Sequence, residues 1–127
     1  MLRQFLNDEH LKNAAQIAVI AFFTGFLADI VVTLARAGEP IYLQFHALMG
    51  AGIGSYFFSK NGKAGIIYAL IAATLFNVIW EAFEAFVLRW TPGRFNLDTK
   101  IDIAVVYVSM IAGFGAEVLR KRLNNAK

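Results

Sequence analysis

Apolar and polar positions fall in long blocks in this chain, not in a period of two or a clean amphipathic repeat. Apolar blocks occupy residues 14–35, 41–59, 64–88 and 101–119. Each is close to the roughly 20 residues that an α-helix needs to cross a hydrocarbon core of about 30 Å. Helices are expected because backbone facing lipid must satisfy its own hydrogen bonds. The polar connections are short: "RAGEP" at 36–40, "KNGK" at 60–63 and "RWTPGRFNLDTK" at 89–100. Gly38 suits a helix end and Pro40 the first turn of the next helix. Links this short force neighbouring helices to run antiparallel. The pattern predicts an all-α integral membrane protein, a single domain over 1–127 built as a four-transmembrane-helix antiparallel bundle. The opening "LRQFLNDEHLKN" predicts a short interfacial helix, with Leu2, Phe5, Leu6 and Leu11 on its apolar side.

Composition strengthens the membrane reading. Hydrophobic residues make up 58% of the 127 and charged residues 17%, against about 45–50% and about 25% in soluble domains. The absence of cysteine excludes disulfides, thiolate metal sites and cysteine nucleophiles. The net charge of +3 is no nucleic-acid footprint, since the basic residues sit between and after apolar blocks. Counting them sets an orientation. Arg3, Lys12, Lys60, Lys63, Arg120, Lys121, Arg122 and Lys127 fall on the side of the termini, and Arg36, Arg89, Arg94 and Lys100 on the other. The excess of basic residues marks the cytoplasmic face, so both termini are expected inside, in a prokaryotic inner or plasma membrane.

Charges within the apolar blocks carry the chemistry. The run "VIWEAFEAFV" at 78–87 holds Glu81 and Glu84 three positions apart. With Asn77 they follow i, i+4, i+7 spacing and share one helical stripe. Counted at 1.5 Å per residue, Glu81, Glu84, Asp29 and His46 all lie roughly 6–10 Å below the outer boundary. Asp98 and Asp102, four apart, flank the start of the fourth helix at the same level. A charge facing lipid costs about 2.5–3.5 kcal/mol on insertion scales, so intramembrane charges face the bundle interior. Pointing these six inward predicts one acidic cup open to the outside. Trp80 is too deep for the interfacial belt and is expected to pack in the bundle or close the cup. Tyr42, Tyr56 and Trp90 are expected as boundary anchors, and His10 as a surface residue. Glu117, beside "RKR", is expected to pair with Lys or Arg. Gly50 and Gly54 form a GxxxG pattern, and with Gly113 and Gly115 they predict close helix contacts.

Five carboxylates and one imidazole in one cup cannot all stay ionised and unpartnered. Protonation, pairing with Arg36, Arg89, Arg94 or Lys100, and binding of a cation are the three resolutions. A divalent metal would take Glu81, Glu84, Asp98 and Asp102 as main ligands, with Asp29 and His46 beside them and Asn77 in support. Such an oxygen-rich set with one imidazole suits Mg²⁺, Ca²⁺ or Mn²⁺, and also iron or zinc. The same cup suits a cationic or metal-bridged lipid headgroup. The rival readings are a proton or ion relay in a transporter or channel, a metal-dependent lipid-modifying enzyme, and an assembly module whose glycine faces dimerise. A homo-oligomer fits any of them.

The pattern Trp80-Glu81-x-x-Glu84, a loop, then Asp98-Thr99-x-x-Asp102 followed by small residues including Gly113 resembles the small polytopic membrane proteins of the VanZ-like and YjdF-like group. It covers about 40 residues of the C-terminal half. The resemblance implies a cell-envelope role. It adds Trp80 and Thr99 to the residues of interest, and Arg36 is the nearest candidate counter-charge on the first helix.

Overall fold

The computed structural model describes residues 7–36, 43–86 and 95–126. These fold into four α-helices: α1 (Glu9–Arg36), α2 (Leu43–Asn61), α3 (Gly65–Phe86) and α4 (Phe95–Asn125), with a 3₁₀ turn at Gly62–Ala64. No strand occurs among the described residues. Three helical stretches are long and apolar enough to cross a membrane: Glu9–Ala35, Leu43–Phe86 and Lys100–Asn125. The second is 44 residues long. As one straight helix it would reach roughly 66 Å. It does not, because Gly62 adopts a φ of 61°, a left-handed conformation that costs glycine little. The chain reverses there and α3 returns along α2, so that Phe57 stacks on Tyr68 near the turn and His46 meets Trp80 at the far end.

The helix ends differ from the apolar blocks in an informative way. α1 starts at Glu9, five residues before the first block. Asp8 caps it, its Oδ1 accepting a hydrogen bond from the His10 backbone N–H at 2.9 Å. The expected interfacial helix therefore merges, from Glu9 onward, into α1, and half-buried Leu11 belongs to that helix. Leu2, Phe5 and Leu6 lie outside the described residues. α4 runs from Phe95 to Asn125, six residues past the apolar block at either end. Hydropathy measures the stretch suited to hydrocarbon, and a helix is free to continue into water. Residues 87–94, with Arg89, Trp90 and Arg94, and residues 37–42, with Tyr42, are outside the described residues. So are the side chains of Arg36, Asp98 and Thr99.

α2 is the centre of the bundle and buries ten of its 19 residues. α1 packs along one side of it and α4 along another, while α3 lies against α2 and α4. Among the described residues α1 makes no close approach to α3. Close packing of α2 on α4 depends on small residues. A Cβ added to Gly50 would overlap Ser109 Oγ and the Val106 carbonyl, and one on Gly54 would overlap the Met110 carbonyl. From the other side, a Cβ on Gly113 would overlap the Ala51 carbonyl. α1 approaches α2 in the same manner at Gly25, whose added Cβ would lie 2.8 Å from Gln44 Cα. α3 presents Gly65, Ala69, Ala73 and Asn77, one per turn, on its buried stripe.

The distribution of size and polarity is inverted relative to a soluble protein. Beside a few large apolar residues such as Val106 and Met110, the interior holds mainly alanine, glycine and polar side chains, with His46, Ser55, Asn77, Glu84, Asp102 and Glu117 all buried. Large apolar residues face outward, among them Leu27, Leu34, Ile67, Ile79, Phe86 and Val108, each more than half exposed. In water such a surface would aggregate; in a bilayer it is the expected exterior.

The glycine contacts yield a paired test. Gly54→Ala should lower stability by about 1–3 kcal/mol through overpacking against the Met110 carbonyl. Gly115→Ala, where an added Cβ meets nothing, should stay within about 0.5 kcal/mol of the parent. Thermal or denaturant unfolding in detergent reads both.

Candidate functional site

Antiparallel helices bring the C-terminal halves of α1 and α3 and the N-terminal halves of α2 and α4 to one end. On α3, the stripe that begins with Gly65 and Ala69 ends in Asn77 and Glu84, both buried, with Glu81 half-buried beside them. On α4, Asp102 is 5% exposed. One oxygen from each of Glu81, Glu84 and Asp102 lies within 4.8 Å of the others, close enough for all three to share one metal ion. Three carboxylates that close repel by at least about 3 kcal/mol per pair at an effective dielectric near 20. The sum, about 10 kcal/mol, is comparable to the whole stability of a domain. A positive species, protons included, must therefore offset most of it.

Two neighbours orient the group. Trp80 Nε1 donates a 2.7 Å hydrogen bond to Glu84 Oε1, one turn along α3. His46 on α2 sets its Nε2 3.6 Å from Asp102 Oδ2, an ion-pair distance but too long for a good hydrogen bond. The His46 ring stands edge-on to Trp80, with centroids 5.3 Å apart, and edge-on to Phe76 at 6.3 Å. Phe76 and Trp80 stack at 5.9 Å. These rings form a wall beside the carboxylates. Beneath the wall lies an apolar layer of Ala69, Ala73, Val106 and Met110.

The expected ligands thus separate. Glu81, Glu84 and Asp102 converge, and His46 joins them through Asp102. Asn77 shares the α3 stripe, and its buried Nδ2 has no hydrogen-bond partner among the described residues. Trp80 both packs in the bundle and binds Glu84. Asp29 is buried on α1 at 5% exposure but is not part of the three-carboxylate group, because α1 lies across α2 from α3. It follows Gly25 by one turn, on the face that meets the start of α2. Asp98 falls in α4 one turn before Asp102, and its side chain, like those of Thr99 and Arg36, is outside the described residues.

A second polar group occupies the opposite end, roughly 22 Å away along the fifteen residues of α4 from Asp102 to Glu117. Glu117 is fully buried. Arg120 grips it from one turn on, Nε to Oε2 at 2.9 Å and a terminal nitrogen to Oε1 at 2.5 Å. Ser55 on α2 donates to Glu117 Oε2 at 3.5 Å. The expected partner of Glu117 is thus found, though in the core and not at the interface. His10, expected on the surface, instead places Nδ1 2.6 Å from Ser59 Oγ, tying the start of α1 to the end of α2. The extra turn of α1 beyond the apolar block carries His10 to that level. Asp8, a capping residue just ahead of it, was the sequence signal for the earlier start.

No family model, curated protein or solved structure matches the chain.

Because Glu117 has no exposure of its own, removing its partner is expected to be costly. Arg120→Met should destabilise by about 1–3 kcal/mol, because it strands the buried Glu117 carboxylate while Arg120 itself is part-exposed and screened. Adding Glu117→Gln should recover most of that loss, a coupling that a double-mutant cycle measures.

Proposed function

We propose that this chain is a small polytopic membrane protein whose acidic end binds a cation, with a divalent metal the best fit. The observation that carries this reading is the convergence of Glu81, Glu84 and Asp102, drawn from two helices, to within 4.8 Å. Hard divalent cations take several carboxylate oxygens at 2.0–2.6 Å, and a cluster of this spread closes on such an ion with small side-chain movements. The single imidazole nearby does not change the preference for Mg²⁺, Ca²⁺ or Mn²⁺. A cationic headgroup, bound directly or through the metal, would meet the same carboxylates.

The proposed setting is a four-crossing bundle with both termini cytoplasmic. Support comes from the reversal at Gly62 and from the position of Lys12, Lys60, Lys63, Arg120, Lys121 and Arg122, all at the end opposite the carboxylates. A cell-envelope role rests on the resemblance of the Trp80-to-Asp102 motif alone. The rival reading, a proton or ion relay, requires a polar route between the two ends. The layer of Ala69, Ala73, Val106 and Met110 counts against it.

Elemental analysis of the purified protein tests the metal. The parent should carry one equivalent of a divalent ion, and Glu81→Gln/Glu84→Gln and Asp102→Asn should each lose it. Chelation should lower the unfolding midpoint of the parent and leave that of the variants unchanged. A parent with no bound metal and no response to added Mg²⁺, Ca²⁺ or Mn²⁺ would refute the reading.

A further inference from the structure

The end opposite the carboxylates has its own unassigned feature. Six cations gather there from all the helix ends and the turn: Lys12 on α1, Lys60 at the end of α2, Lys63 in the turn, and Arg120, Lys121 and Arg122 on α4. Three acids share this end among the described residues, fewer than the six cations, and each is engaged on α1 or α4. Glu117 is buried against Arg120. Asp8 caps α1. Glu9, at the opening of α1, faces Arg120 electrostatically. Lys12, Lys60, Lys63 and Arg122 are exposed, and none of them is in an ion pair among the described residues.

Two of the lysines are held in place, not left to wander. Lys121 Nζ donates to the Ser59 carbonyl at 3.2 Å and sits 4.9 Å from the centroid of the Phe58 ring. Lys60 Nζ donates to Tyr56 Oη at 3.4 Å over the same tyrosine's ring. Because Ser59 and Lys60 are consecutive, both ammonium groups are anchored at the closing turn of α2, and Lys63 follows three residues on. Directly beyond Lys63, α3 exposes the apolar side chains of Ile67 and Ile71. A cationic rim adjoining an exposed apolar flank has the polarity of an anionic phospholipid, with phosphate at the rim and acyl chains along the flank. Each basic residue near an anionic membrane surface contributes about 1 kcal/mol of attraction.

We infer that Lys60, Lys63 and Lys121 seat the headgroup of an anionic phospholipid, with Lys12 and Arg122 adding to the local field. The inference does not depend on metal binding at the far end.

Unfolding of the full chain in nanodiscs tests it, comparing phosphatidylcholine alone with phosphatidylcholine containing phosphatidylglycerol. The anionic lipid should raise the unfolding midpoint by several degrees, because a ligand that binds only the folded state stabilises it. About 0.5 M salt, where the Debye length is roughly 4 Å, should remove most of that gain. Lys60→Gln/Lys63→Gln/Lys121→Gln should lose it at low salt, while Lys100→Gln at the other end should keep it. Helical circular dichroism and a single gel-filtration peak confirm that the triple variant folds; if it does not, the salt series on the parent and Lys63→Gln decide. Equal midpoints in the two lipids overturn the proposal. So does a salt-insensitive gain, or a gain reproduced by inorganic phosphate in phosphatidylcholine discs.

Discussion

The close approach of α2 and α4 is the constraint on which the rest of the structure depends. Gly50 and Gly54 on one helix and Gly113 on the other bring backbone against side chain and carbonyl with no room for a methyl group. In a bilayer, burying apolar surface gains little, because lipid tails are as apolar as leucine; association relies on close packing and polar contacts. The glycine seam supplies the packing, and it runs between the two polar groups. At one end it brings His46 to Asp102; at the other it brings Ser55 to Glu117. Widening it by a side chain would pull both pairs apart.

This arrangement makes the two ends chemically unlike. Buried Glu117 is neutralised internally by a charge-assisted, two-point grip from Arg120, the stronger class of hydrogen bond. The Glu84 end has, among the described residues, three converging carboxylates with one indole donor and one imidazole nearby. An ion pair completed within the fold is a structural element; a convergence of like charges from two helices is a geometry suited to a shared cation. The contrast is why the cation proposal falls on Glu81, Glu84 and Asp102 and not on Glu117, although Glu117 is the more deeply buried.

Much of this was legible in the sequence, for identifiable reasons. Helical spacing put Asn77, Glu81 and Glu84 on one stripe, and antiparallel counting put Asp102 and His46 at their depth. Depth alone cannot give azimuth. Asp29 has the right level but rides on a helix that meets α2 and scarcely any other, so it does not join the group. His10 was missed for the complementary reason. Hydropathy ends α1 at the hydrocarbon boundary, whereas the Asp8 cap carries the helix further and brings the imidazole to Ser59. The glycine pattern indicated close contact but not its partner, because GxxxG specifies a surface and not what lies against it.

The turn at Gly62 also bears on how the fold is assembled. Three residues of 3₁₀ helix leave no slack between α2 and α3. Lys60 and Lys63 are therefore held at the level where α2 closes and α3 opens. Whichever face of a membrane takes that lysine-bearing tip, the carboxylates at the other end of α3 lie toward the opposite face.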